Sequence, residues 1–502
     1  MLLVLLFAVS AAVSHCSSVV IVGGGPAGMA CAMSLTKHSP SSTVTVLEAS
    51  EDPSAFNPSR SFLYLIDGRG QDFTDEYVTS ETGPNVLSDV AVSSKEFRLS
   101  ILETDFAKPA VSLPFVDTNR RLPYWVQRAH FVKLLSDAVP SSVIFKRGVQ
   151  CKSVKYDEVS DKYIVEAADE SGKVMKLPAD LVVGADGWKS TIRTTAFSKK
   201  NKVVVRKSPA GVLGFKALQV KTNFAAYNST FSTTPSMAYS IRSATSGYAD
   251  RLNLGLLPIV DASVSEKLGL PKFDTRSANI VTRDDHVTAK FRDAAEAREF
   301  FIRAFPQLHF DKEGVVDESE WERFVNAKPV RFPHPQRASR LTEVSPSGKS
   351  GVILLGDAAH AFPPDIGQGV NSALVDVCVL QKCFKSSSSL SDVLNRYEKE
   401  RMPEVKSLVR LCQIGNPYQY RQTGTIATLR RMLWNLNFVF RLLLFKASRG
   451  LLSANAFFSM QSEPSYSKIL RRCDAVTWLM RASGTGLFLL LFRKKLPPLP
   501  AF

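Results

Sequence analysis

The sequence predicts an α/β fold with a mixed-sheet domain inserted into it and a helical C-terminal tail. Three observations predict it. A β-branched run, Ser18-Val19-Val20-Ile21-Val22, passes directly into a glycine-rich turn and a helical stretch, and a second run of the same kind, Thr43–Leu47, follows. Two further apolar runs, ending at Gly184 and at Leu355, each lead into an acidic turn far downstream. Between those two lie short alternating runs, and after them comes a basic, apolar tail.

At 502 residues the chain can bury a large core without disulfide or metal staples. Only 27 Gly, 27 Pro and 7 Cys exclude collagen-like, disordered and small disulfide-scaffold classes. The cysteines are odd in number and scattered with no C-x-x-C, so neither a disulfide framework nor a zinc site is indicated. The histidines show no ligand spacing. No uninterrupted apolar run reaches the ~20 residues of a membrane span, which excludes a polytopic membrane protein.

The first element is Leu2–Val13, apolar except for Ser10, with no charged residue before Lys37. It has the character of a signal-peptide core, with Ala12-Val13-Ser14 as a small-residue cleavage site, but it lacks a basic n-region. A cleavable signal, a retained anchor and a buried extension (residues 1–17) all remain open. Asn228-Ser229-Thr230 is a glycosylation sequon, relevant only in a secretory compartment.

Next comes the turn Gly23-Gly24-Gly25-Pro26-Ala27-Gly28, which fits G-x-G-x-x-G between a strand and a helix running from Met29 to Lys37. Gly23 allows the tight turn, Gly25 lets the main chain approach a pyrophosphate, and Gly28 lets helix and strand pack closely. The helix N-terminus supplies amide donors to phosphate. The strand Thr43–Leu47 ends in Glu48, placed to accept hydrogen bonds from a ribose. This is the pattern of a Rossmann-like dinucleotide site.

The run Leu-Val-Val-Gly after Asp180 ends in Ala185-Asp186-Gly187, followed by Ser190 and Arg193. The last strand, Val352-Ile353-Leu354-Leu355, delivers Gly356-Asp357-Ala358-Ala359-His360, then Pro364, Gly367-Gln368-Gly369, Val370 and Asn371 at the start of a helix. With these three motifs in order, the chain resembles the class A flavoprotein monooxygenases, which are single-component FAD-dependent hydroxylases. The resemblance implies a glutathione-reductase-type FAD domain, assembled from residues 18–88, 117–200 and 341–415. FAD is then the cofactor, NAD(P)H the reductant and O2 a co-substrate.

It also implies roles. Asp357 meets a ribityl hydroxyl beside the phosphates, and Gly369, Val370 and Asn371 offer a helix N-terminus to the negative charge of a reduced flavin. Arg60 and Arg128 (in Trp125-Val126-Gln127-Arg128) are carried over as FAD contacts, or are ordinary surface arginines. Asp186 corresponds to an aspartate near both flavin and nicotinamide. No side chain needs to be a nucleophile, because the flavin, reduced by NAD(P)H, carries the oxygen as a peroxide adduct. No second G-x-G-x-x-G is present, so NAD(P)H would dock transiently. His360 serves the turn rather than proton transfer.

The middle of the chain, 201–340 with 89–116, reads as a mixed-sheet substrate domain roofing the flavin. Its runs are Val212–Val220 and Leu252–Ile259, with a helical stretch at Asp293–Phe305. Pro58–Gly70, the Arg128 segment, Gly356–Asn371 and Tyr418-Gln419-Tyr420 resemble, more specifically, the kynurenine 3-monooxygenase family. There an arginine and a tyrosine hold the substrate's carboxylate. The resemblance places Arg98 and Gln419 at the substrate, with Arg98 equally readable as a surface residue on an edge strand. The departures are Asp365 and Ile366 where the family has two aromatics, Gln419 where it has Asn, and Phe115 where a tyrosine is expected.

The tail explains the charge. Of the net +16, the last 82 residues carry +11, from 13 Lys and Arg against Glu463 and Asp474. Met432–Phe445 contains one charge, Arg441, and Ala475–Phe492 contains one, Arg481, before Arg493-Lys494-Lys495. Basic residues interleaved with Trp, Phe and Leu in helical lengths suit an amphipathic helix on a membrane surface, or two helices packed on the body. The family resemblance favours membrane attachment through 416–502. No helix-turn-helix, zinc-finger or RRM pattern accompanies the charge, so nucleic acid is not expected as a partner. Two other activities share the motifs: a membrane-bound flavin epoxidase or reductase acting on an isoprenoid, and a non-catalytic binding protein on an FAD fold.

Overall fold

The computed structural model describes residues 16–492, save 62, 79–85, 96–97, 106–110, 115–120, 200, 228–229, 246–250, 268, 270–273, 312–313, 421–423 and 461–462; the side chains of 60, 111–114, 267 and 484–492 are likewise not described. The apolar stretch Leu2–Val13, most of the Asn228 sequon and Phe115 therefore lie outside the described residues.

The first sheet has the order Thr342–Val344, Gly351–Leu354, Leu181–Gly184, Ser18–Val22, Thr43–Leu47, Ile144–Lys146 among the described residues. All neighbours are parallel except the first pair. Val19 to Val22 face Leu181 to Gly184 in register and are almost wholly buried. Burial of both faces is what selects a continuous β-branched run. The helices Pro26–His38, Gly369–Ser386 and Leu390–Ile414 cover this sheet, the first beginning with proline at a position where its missing N–H costs nothing.

The second sheet, seven strands among the described residues, draws Arg98–Leu102 and Val111–Pro114 together with strands between Gly214 and Arg331. Ala238–Arg242 pairs parallel with Arg98–Leu102, and the other neighbours are antiparallel. One face buries Leu218, Leu254 and Ile280 against Phe301, Trp321 and Phe324 from the helices Ala294–Ala304 and Glu318–Asn326. The helix expected at Asp293–Phe305 is present, with Asp293 capping it by accepting from Glu296 N–H at 2.8 Å. Two expected strands are shorter. Pro209 starts a tight turn through Val212, so the first begins at Gly214, and the second, Asn253–Leu256, stops two residues before Pro258, which has no N–H for a ladder.

The tail forms the helices Thr425–Ala447, Ala456–Ser459 and Tyr466–Phe492. It begins as part of the body: Tyr466, Ile469 and Cys473 are buried against Leu408, Leu411, Cys412 and Ile366. Arg441 is buried rather than solvated. Its guanidinium donates to Thr477 Oγ1 at 2.6 Å and to the Cys473 carbonyl at 3.3 Å, joining two tail helices. The opposite side of Thr425–Ala447 is different, since Leu429, Leu433, Leu436 and Leu443 are all more than half exposed. Among the described residues, no helix is long and apolar enough to cross a membrane.

Candidate active site

The glycine turn is built as its spacing requires. Gly23 has φ +105°, and a Cβ there would sit 2.3 Å from the Ala185 carbonyl oxygen. A Cβ on Gly28 would lie 1.9 Å from the Gly23 carbonyl oxygen, so strand and helix touch through main chain alone. Gly25 differs: nothing lies within 4 Å of its would-be Cβ, which leaves open space at the helix N-terminus. Gly25, Pro26 and Ala27 line the main cavity. Glu48 holds this turn from behind. Its two carboxylate oxygens accept from Gly24 N–H at 2.6 Å and Ser50 N–H at 2.8 Å, leaving lone pairs for a hydroxyl.

The opposite wall is the segment Gly356–Asn371. Gly356 N–H donates to Asp376 at 2.8 Å, His360 Nε2 meets the same carboxylate at 2.9 Å, and Arg401 Nε reaches it at 2.5 Å. All three partners are buried. Burial opposes the charge of Asp376, yet Arg401 and His360 hold its pKa below the usual range. His360 thus serves the turn, as expected. Asp357 opens onto the cavity while the protein encloses it on the other sides, and that enclosure raises its pKa.

Gly369 and Val370 line the cavity at the start of an 18-residue helix, and nothing occupies the space beside Gly369. Asn371 has a different task. Its Nδ2 donates to Leu65 O at 2.7 Å and Gly367 O at 3.1 Å, and its Oδ1 accepts from Asp67 N–H at 3.0 Å. The side chain of Asn371 is thus spent bracing the loop and does not line the cavity, which leaves only its main chain at the helix N-terminus.

Asp186 lines the cavity with one oxygen committed to Thr191 and Ile192 N–H, at 2.6 and 3.1 Å. Its Oδ1 is buried with no partner, and burial raises its pKa. Arg128 also lines the cavity, bonded to the Pro53 carbonyl at 3.3 Å. Arg60 ends the turn Pro58–Arg60, capped by Asn57.

These groups surround one cavity of about 2100 Å³. Its far side is the inner face of the seven-stranded sheet, with Leu99, Phe215, Asn279 and Val281, closed by Phe332, Asp365 and Tyr420. Gln419 reaches this rim, its Oε1 accepting from Asn416 at 3.2 Å. Arg98 does not. Alternation along its strand sends Leu99 to the cavity and leaves Arg98 exposed, so its expected substrate contact is corrected to a surface position. Sequence reasoning missed the group behind Gln368: Asp67, Arg69 and Tyr466, drawn from two distant segments. An open approach at Gly25 and Gly369 and an orphaned acceptor on Asp186 fit FAD in this cavity, whose apolar end leaves room for a small molecule.

A family model described as an FAD binding domain matches residues 16–264 and 315–412. The kynurenine 3-monooxygenase of Salinispora arenicola is 25% identical over 402 residues, 78% of each protein. That of Mycosarcoma maydis is 32% identical over 126 residues, 24% of this chain and 20% of the relative. An FAD-dependent urate hydroxylase of Klebsiella oxytoca is 48% identical over 58 residues, 12% of this chain and 15% of the relative. Among solved structures, a tetrameric form of 2-methyl-3-hydroxypyridine-5-carboxylic acid oxygenase shares the fold with a TM-score of 0.54 at 18% identity, covering 79% of this chain and 90% of that one. Tetracycline destructase Tet(51) does so at 0.53 and 16%, covering 87% and 98%.

Proposed function

The chain belongs to the FAD binding domain family, as a class A FAD-dependent monooxygenase, and from that premise we propose that it hydroxylates an aromatic small molecule using NAD(P)H and O2. Kynurenine is the leading single candidate, because a relative of that name aligns along most of both chains. The observation that carries the reading is the single cavity joining the Gly25 turn, Asp357 and the Gly369 helix start to an apolar sheet face. Bound flavin, reduced by NAD(P)H, supplies the activated oxygen. The protein's share is placement. The amides of Gly369 and Val370 stabilise negative charge at the ring, Asp357 and Arg128 fix the cofactor, and the Phe215 and Phe332 wall excludes water from the reacting ring.

The test is reconstitution with FAD followed by a panel of aromatic acids and lipids, reading NAD(P)H consumption and hydroxylated product together. Product formed from kynurenine supports the reading. Protein that contains no flavin and takes none up would sink it. The exposed apolar helix favours a second reading, an epoxidase or reductase acting on an isoprenoid, which product from the lipid arm alone would support.

The stripe of Leu429, Leu433, Leu436 and Leu443 beside Arg430, Arg431 and Lys446 supports attachment to an anionic membrane surface. Single exposed apolar residues need no explanation, but a continuous helical face of them does. The helix would lie along the membrane rather than cross it.

A further inference from the structure

The turn Pro364–Ile366, directly before the Gly367-Gln368-Gly369 segment, carries a buried acid in an apolar setting. Asp365 is 3% exposed, and neither carboxyl oxygen has a hydrogen-bond partner among the described residues. It lines the cavity on the substrate side, among Phe332, Phe362 and Ile366. A second acceptor in the same cavity, Asn279 Oδ1, is also buried and unpartnered.

Buried polar groups are nearly always paired, and an orphan costs about 1–3 kcal/mol. Asp67, Asp186, Asp357 and Asp376 all have assigned work in this fold, whereas Asp365, among the described residues, holds no loop, caps no helix and pairs with no cation. What the cavity lacks at this point is a donor. Whether ionised or protonated, a carboxyl group retains at least one accepting oxygen, and an amide oxygen only accepts. A ligand that brings its own N–H or O–H groups offsets both deficits at once, while its ring fills the aromatic wall.

We propose that Asp365 is a specificity-determining residue of the site, its carboxyl accepting a hydrogen bond from an N–H or O–H group carried on the ring of an aromatic substrate. The assignment deepens the monooxygenase reading and rests on it. A planar ring with an amino or hydroxyl substituent is the substrate class selected, and rings in which that donor is capped by alkyl groups are rejected.

The experiment uses FAD-loaded full-length protein and two probe pairs: ortho-aminoacetophenone with its N,N-dimethyl counterpart, and para-hydroxyacetophenone with para-methoxyacetophenone. Kd is read from the flavin absorbance change, and NAD(P)H oxidation is read alongside. Wild-type protein is expected to prefer the donor-bearing member of each pair by about tenfold or more. Asp365→Leu, similar in volume and without an acceptor, should lose that preference while retaining FAD and melting no lower than wild type. Asp365→Asn keeps one acceptor oxygen and should fall between them. Should Asp365→Leu fail to fold, Asp365→Asn decides: a preference reduced at unchanged FAD content supports the assignment, and an unchanged one overturns it. A wild type that discriminates within neither pair, or an Asp365→Leu protein that discriminates equally well, also overturns it. In those cases FAD binding and NAD(P)H oxidation leave the monooxygenase reading standing. Loss of flavin binding in the wild type removes that reading, and this assignment with it.

Discussion

Tyr466, the first residue of the last helix, donates a 2.8 Å hydrogen bond from its hydroxyl to Oε1 of Gln368, the middle residue of the flavin-side turn. The Arg69 guanidinium lies 4.8 Å over the Tyr466 ring, and its Nε donates to the Pro464 carbonyl at 3.0 Å. Asp67 completes the group, accepting from Arg69 at 2.6 Å and from Gln368 Nε2 at 2.9 Å. The C-terminal segment is thereby locked to the turn that precedes the Gly369 helix.

Removing that lock should loosen the cofactor without unfolding the chain. Tyr466→Phe leaves the ring and its cation contact but drops one buried hydrogen bond, worth about 1 kcal/mol. FAD affinity, titrated by flavin fluorescence, should fall by about threefold to tenfold. Unchanged affinity would show that the turn stands without the tail.

The two glycines of the first turn should separate fold from cofactor. A methyl at Gly28 meets the Gly23 carbonyl oxygen at 1.9 Å, so Gly28→Ala should force helix and strand apart and lower Tm with or without FAD. At Gly25 the protein leaves the space open, and Gly25→Ala should keep the Tm of the flavin-free protein. The methyl there narrows the approach of the pyrophosphate, so FAD affinity should drop by about tenfold or more.

These contrasts mark what the sequence reveals of the site and what it hides. Gly23, Gly25 and Gly28 are legible because close main-chain approach tolerates no other residue, and the strands beside them because burial on both faces leaves a continuous apolar run. Tyr466 and Gln368 are 98 residues apart and share no local pattern; their meeting is decided by how the tail packs on Leu390–Ile414. The sequence leaves Arg98 open between substrate and surface for a related reason. A strand's side-chain period is two, so a motif placed correctly along the chain can still face the wrong way. Arg441 reads as a surface cation of a membrane helix, yet two of its partners, Cys473 and Thr477, lie in a helix that only tertiary packing brings near.

The buried charge beneath the second turn carries a stability prediction. Asp376 is held by Arg401 and His360 with no exposure to water. Arg401→Met leaves the carboxylate in a buried interior with the histidine and the Gly356 N–H but no guanidinium beside it, at a cost of about 3–5 kcal/mol. Denaturant unfolding of the flavin-free protein should show this loss. FAD binding should weaken as well, because the Gly356 N–H accepted by Asp376 belongs to the turn that positions Asp357.

Membrane attachment, if carried by Thr425–Ala447, should be removable by its outer face alone. Leu433→Asp with Leu436→Asp places two charges where both side chains are more than half exposed, so the fold should be unaffected. Sedimentation with phosphatidylserine-containing vesicles should fall several-fold while FAD content stays constant. Equal sedimentation would place the contact elsewhere on the chain. Deleting the whole tail is a poorer test, because it also removes Tyr466 and uncovers the packed face around Leu408.

The last prediction concerns pH. Burial pushes the pKa of Asp365 from its ordinary 3.8 up to about 8. Between those values the folded protein holds a proton that the unfolded chain has already released. Stability therefore falls as pH rises through that window, and the loss is complete only above about pH 8. Asparagine does not titrate, so the melting temperature of Asp365→Asn should exceed that of wild type by an amount that grows from about pH 5 to about pH 8 and then levels off. At neutral pH the gain over its acid-side value should be on the order of 4 kcal/mol, about 1.4 kcal/mol for each pH unit above the carboxyl's ordinary pKa. A bound aromatic amine should shrink the gap, because its donor favours the wild-type carboxylate more than the amide oxygen of the variant. A difference that narrows as pH rises in ligand-free protein would mean that Asp365 already has a partner that favours its ionised form.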